Sequence, residues 1–103
     1  DAVAEAVSSF DALIVGSPTI NADAVYPVWR VLEAVSAITA KGKAAAVFGN
    51  YGWSGEAVAL LEERLEKMRL VVGHPPLKVR FGLTAEDEER CRSMGAAVAE
   101  SIT

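Results

Sequence analysis

Two apolar runs without alternation organise the chain, each followed by a short polar loop and then by apolar positions three and four residues apart. The first, Ala12-Leu13-Ile14-Val15-Gly16, stops at Ser17-Pro18, and the second covers residues 44–49. An unbroken run of this length predicts a strand buried on both faces, as in the interior of a parallel sheet. After the first loop, Val25, Val28, Leu32 and Val35 recur at helical spacing with Trp29 beside them, and Pro27 suits a first turn. One amphipathic helix is predicted here, packed on the sheet through Trp29 and ending near Lys41-Gly42-Lys43, where a glycine and basic side chains suit a helix C-terminus. After the second loop, Ala57, Val58, Leu61, Leu65 and Met68 predict another helix, with Glu62, Glu63, Glu66 and Lys67 on its solvated face.

Leu70-Val71-Val72, broken by Gly73-His74-Pro75-Pro76 and resumed over 77–81, reads as a last strand alternating apolar and basic residues, hence half exposed. Thr84 with Asp87 three residues on predicts a capping box. The helix it opens is expected to bury a stripe of Cys91, Met94, Gly95, Val98 and Ile102, with Cys91 an inert core thiol. Residues 2–10 look like the tail of a preceding helix. Strands alternating with helices require crossover connections, which give an α/β fold with a parallel sheet and helices on both faces.

Composition narrows the function. With 51% apolar and 23% charged residues in a chain of 103, a single soluble, folded domain over residues 1–103 is expected. A net charge of -4 without clustered Lys or Arg argues against nucleic-acid binding. No run nears the roughly 18 apolar residues of a membrane span. One Cys and one His cannot supply a soft-metal site or an internal disulfide, which fits a reducing, cytoplasmic setting. The chain opens Asp1-Ala2-Val3-Ala4, with no initiator Met and no basic segment leading an apolar one, as the interior of a longer chain would.

In an open parallel sheet the ligand crevice lies outside the carboxyl ends of the strands, so the loops after the first two strands carry the candidate chemistry. Ser17-Pro18-Thr19-Ile20-Asn21 sets two hydroxyls around a rigid proline. Asn50-Tyr51-Gly52-Trp53-Ser54-Gly55, with Gly49 before it, spaces glycines three apart with two aromatic rings between them. Glycines allow close backbone approach and exposed rings offer a stacking surface, which suits a planar heteroaromatic cofactor. Loops of this composition also form plain turns, and Trp53 would equally suit a core or subunit contact. The glycine spacing is neither the dinucleotide fingerprint nor a P-loop. Asp11 lies at the amino end of its strand, away from the crevice, and His74 reads as an exposed turn residue.

Taken together, residues 11–21, Phe48 through Gly55, the Glu-Glu-Arg-Leu segment at 62–65 and Thr84 to Cys91 resemble the flavodoxin-like domain of the flavodiiron proteins, the A-type flavoproteins. The resemblance covers nearly the whole chain. It implies a flavodoxin-like three-layer α/β/α fold, present in part, with residues 12–16, 44–49 and 70–81 as strands three, four and five. It implies an FMN-binding electron-transfer domain without catalytic side chains of its own. Ser17, Pro18, Thr19, Ile20 and Asn21 with Asn50, Tyr51, Gly52, Trp53, Ser54 and Gly55 would hold the isoalloxazine, Tyr51 or Trp53 covering part of its face. The implied partner is a redox protein or a di-iron domain that reduces oxygen or nitric oxide. The family's first two strands, and the Ser/Thr-rich loop that binds the FMN phosphate, have no counterpart in this chain. A bared apolar edge at Ala12 to Val15 would then favour homo-oligomers, and a cofactor-free structural or self-association module is the alternative reading.

Overall fold

The computed structural model describes residues 9–102. The order is β1 (Ala12–Pro18), α1 (Tyr26–Glu33), α2 (Ala37–Ala40), β2 (Ala44–Tyr51), α3 (Glu56–Lys67), β3 (Val71–Val72), β4 (Leu77–Arg80) and α4 (Ala85–Ser101). The reading of residues 2–10 as a helix tail falls, up to residue 8, outside the described residues.

The sheet is parallel throughout. β2 lies at its centre, paired with β1 from Ala12↔Ala44 to Pro18↔Asn50. On its other side it pairs first with β3, at Ala44↔Val71 and Ala45↔Val72, and then with β4, from Phe48↔Leu77 to Tyr51↔Arg80. β3 and β4 are thus two pieces of one sheet position. Gly73-His74-Pro75-Pro76 separates them, because two consecutive prolines cannot donate to the ladder. The alternation expected of the last strand is present: Leu77 and Val79 are buried, Lys78 and Arg80 exposed.

Period-two alternation along β2 divides the interior. Ala45 and Val47 join Val15 against Leu32 and Val35 of the first helical region and Ala57, Val58, Leu61 and Leu65 of α3. Ala46 faces the other way and packs with Leu77 and Val79 against Met94 and Val98 of α4. Helices therefore cover both faces, giving the three layers expected. Ile14 and Phe48 share the α4 face, yet remain 42% and 43% exposed. The Phe48 ring lies directly over Gly16, where any Cβ would overlap it.

Two expectations need correction. The helix after β1 is not continuous to Lys41 but ends at Glu33. The N–H groups of Ala34 and Val35 donate to the carbonyls of Val31 and Leu32, three residues back, which tightens and closes the helix. A separate turn then starts at Ser36, whose carbonyl accepts from Ala40 N–H and from the Thr39 hydroxyl. Trp29 is half-buried against the core as expected, and its indole Nε1 donates to Asp23 at 3.1 Å. The second correction concerns α4. Its Thr84/Asp87 capping box forms as predicted, but Cys91 is exposed and Ile102 is 46% exposed. α4 packs chiefly on β2 and β4, so its buried stripe shrinks to Met94 and Val98.

Leu61, fully buried where α3 crosses the sheet, gives the fold a direct test. Leu61→Ala is expected to lower unfolding free energy by about 2–5 kcal/mol through lost burial and a residual cavity. Urea unfolding followed by far-UV circular dichroism measures it, and a loss well below that range would mean that α3 does not seat on the sheet as described.

Candidate functional site

The parallel register brings the ends of β1 and β2 level, Pro18 beside Asn50, so the loops after them emerge side by side at the carboxyl end of the sheet. Backbone and side chain then fasten one to the other. Thr19 N–H donates to Asn50 carbonyl oxygen at 3.2 Å, and the Thr19 hydroxyl accepts from Ala57 N–H at 3.1 Å. Ala57 lies in the first turn of α3, whose N-cap, Gly55, offers no side chain. The first loop therefore supplies the cap that the second lacks. Ser17 is committed as well: buried, its hydroxyl donates to Pro18 carbonyl oxygen at 2.7 Å and accepts from Val25 N–H at 3.0 Å. The hydroxyls of Ser17 and Thr19 thus hold the loop's shape, while the Ile20 side chain is exposed.

Ile20 and Asp23 exchange two backbone hydrogen bonds of 2.9 and 3.1 Å. Between them Asn21 and Ala22 both adopt left-handed conformations, φ 53° and 60°. Two central residues with positive φ make a type I′ turn, tolerated by Asn and unfavourable for Ala. The composition gave no hint of it beyond Asn21 itself.

In the second loop the aromatic residues take opposite roles. Trp53 is 96% exposed. Tyr51 is half-buried, its ring 5.6 Å from Lys78 Nζ and 5.7 Å from the Arg80 guanidinium carbon. Phe81 N–H donates to Tyr51 carbonyl oxygen at 3.0 Å, and the Phe81 ring lies against Gly52, where a Cβ would come within 2.9 Å. Lys78, Arg80 and Phe81 were not among the candidates read from the sequence. No sequence signal marked them: the parallel register, which pairs Gly49 with Lys78 and Tyr51 with Arg80, is what sets them beside the loop. Ile20, Phe81 and Leu83, each more than half exposed, add apolar surface near the carboxyl end.

The donor set suits a flat heterocycle better than a phosphate. Among the described residues, the N–H groups of Asn21, Ala22, Gly52 and Trp53 donate to no protein acceptor, and Trp53 offers an uncovered ring. The N-terminus of α3 is already capped by Thr19, and it carries an acid. The Ser54 hydroxyl, the residue's own N–H and, more weakly, Lys78 hold the Glu56 carboxyl below its ordinary value. A second anion there would meet that carboxylate. Among the described residues no three His, Cys, Asp or Glu side chains gather to hold a metal. A hollow of about 480 Å³ opens at the amino end of the strands, bordered by Asp11, Lys43 and His74, remote from both loops.

The lowered Glu56 carboxyl has a consequence for acid stability. Because its folded-state pKa lies below the unfolded one, the stability it adds is complete above the ordinary value of 4.5 and fades as pH falls through the folded value. Glu56→Gln is expected to flatten the acid side of the melting temperature–pH profile as pH falls below 4.5. An unchanged profile would show that Ser54 and Lys78 do not engage this carboxylate.

No family model matches the chain. A type A flavoprotein of Rhodobacter capsulatus is 40% identical over 97 residues, which are 94% of this chain and 22% of that protein. The chain thus spans about a fifth of the length of that curated relative. Among solved structures, a flavodoxin from the domain Archaea superposes with a TM-score of 0.90 at 31% identity, covering 96% of this chain and 70% of the flavodoxin. The flavodiiron core of a Synechocystis protein gives a TM-score of 0.90 at 30% identity, over 98% of this chain and 25% of that one. The likeness extends over both loops and all described strands, and the chain therefore belongs to the flavodoxin family, in the form of that domain found in the flavodiiron, or A-type, flavoproteins.

Proposed function

We propose that this chain is the FMN-binding electron-transfer domain of a flavodiiron-type oxidoreductase, delivering electrons to a di-iron domain that reduces oxygen or nitric oxide. FMN is the cofactor of its flavodoxin and flavodiiron homologues. One observation carries the reading: the two loops are locked together at the carboxyl end of a parallel sheet through Thr19, and among the described residues the N–H groups of Asn21, Ala22, Gly52 and Trp53 have no protein acceptor, beside an uncovered indole. That is where an open α/β sheet binds its ligand.

When bound, the flavin supplies the one- and two-electron chemistry, and this chain's residues supply position and polarity. The N–H groups of Gly52 and Trp53, with those of the Asn21-Ala22 turn, would address the polar edge of the ring. Trp53, 96% exposed, would cover part of one face. Tyr51, occupied by Lys78 and Arg80, fixes the loop from behind. Among the described residues no loop offers the hydroxyl-rich helix N-terminus that would grip the phosphate, so the ring contacts carry the binding. A cytoplasmic location belongs to the same proposal; no helix among the described residues is long and apolar enough to cross a membrane.

Titration of the 103-residue chain with FMN and with riboflavin, followed by flavin fluorescence quenching, tests this. Measurable binding of both, with little advantage for FMN, is the expected outcome. Absence of quenching by either would overturn the cofactor reading.

A second reading, a cofactor-free module that assembles through its sheet, draws on the outer edge of β1, which pairs with no other strand among the described residues, and on Ile14 and Phe48 exposed beside it. A strand edge next to bared apolar side chains invites pairing. Sedimentation velocity over a range of concentrations should then show self-association, and a monomer at the highest concentration reached would count against it.

A further inference from the structure

The geometry points to Lys78 as the positioning residue of the proposed flavin loop: its side chain, laid between Tyr51 and Gly55, holds residues 50–55 in the shape that presents their backbone donors. This rests on the flavin reading above and goes beyond it, because Lys78 lies on β4, outside both loops.

Three observations meet at this side chain. Its Nζ lies 5.6 Å from the centre of the Tyr51 ring, within reach of a cation–π attraction. A Cβ on Gly55 would fall 2.6 Å from Lys78 Cε and 3.1 Å from Nζ, so the alkyl stem runs across the bare Cα of Gly55. Gly55 has φ -123°, which any residue adopts, so its backbone does not demand glycine. A Cβ there would instead displace the end of the Lys78 side chain from its place across the loop. Glu56, the next residue, feels the Lys78 charge. Lys78 therefore touches the loop at its start, through Tyr51, and at its end, through Gly55. Between these points lie Gly52, Trp53 and Ser54, a glycine-bearing span that would otherwise lose considerable conformational entropy on binding a ligand. Holding both ends beforehand removes part of that loss. Arg80, its guanidinium carbon 5.7 Å from the Tyr51 ring centre, shares only the Tyr51 end with Lys78, and the atoms nearest a Cβ on Gly55 belong to Lys78 and Tyr51.

The test measures riboflavin affinity and the motion of Trp53. In a Trp29→Phe background Trp53 is the one tryptophan, and its nanosecond anisotropy decay reports the loop without any ligand. Lys78→Met is expected to weaken riboflavin binding about three- to ten-fold and to enlarge the local motion of Trp53, with the melting temperature nearly unchanged. Lys78→Arg, which keeps a cation over the ring, should restore both. Gly55→Ala should weaken binding alone but add nothing in the Lys78→Met background if the displaced lysine is the cause. Unchanged Trp53 motion in Lys78→Met, or an arginine variant as impaired as the methionine one, would overturn the assignment. Absence of riboflavin binding by the parent chain would defeat the flavin reading instead, and the anisotropy comparison would still decide the role of Lys78.

Discussion

The pairing of β1 with β2 is the constraint on which the rest depends. Seven residues of each strand run in parallel register, and because every side chain alternates faces, that register decides which residues of β2 meet α3 and which meet α4. A slip of one residue would send Val47 to the α4 face and Ala46 beneath α3, emptying one core and crowding the other. The same register brings Pro18 level with Asn50. Without that, Thr19 could neither bond to Asn50 nor reach the N-terminus of α3. Core and candidate site are consequences of one alignment.

The division of labour in the two loops follows from it. Hydroxyls that look available for a ligand, those of Ser17 and Thr19, are used to join one segment to the next. Backbone donors and one indole are left over. Such an arrangement offers shape and hydrogen-bonding edges more than charge, which is what the proposed flavin reading asks of these loops.

Much of this was legible in the sequence. The runs at Ala12–Gly16 and Ala44–Gly49 announced buried parallel strands because both faces are covered, and the Thr84/Asp87 cap follows from residue identity and spacing alone. What escaped was set by tertiary context. Cys91 occupies a helical position consistent with burial, but burial also requires something opposite it, and α4 packs mainly on β2 and β4. The helix after β1 kept its apolar period to Val35 while its hydrogen bonds tightened after Glu33; periodicity reports the face a residue presents, not the bond pattern beneath it. The setting of Tyr51 against Lys78 and Arg80 is a relation between strands distant in sequence, and only the register reveals it.

The Ile20–Asp23 turn carries a consequence for how the molecule acquires its order. Ala22 stands at φ 60°, a conformation that costs an L-residue with a Cβ roughly 1–2 kcal/mol, so the isolated segment seldom visits the bend. Its shape is imposed from outside, by the seating of β1, the Thr19 bonds and the anchoring of Asp23 by Trp29 and Ala24 N–H. The crevice is thus a late product of folding rather than a seed for it: the sheet and α3 must assemble first, and any state in which they have loosened loses the turn before it loses the strands.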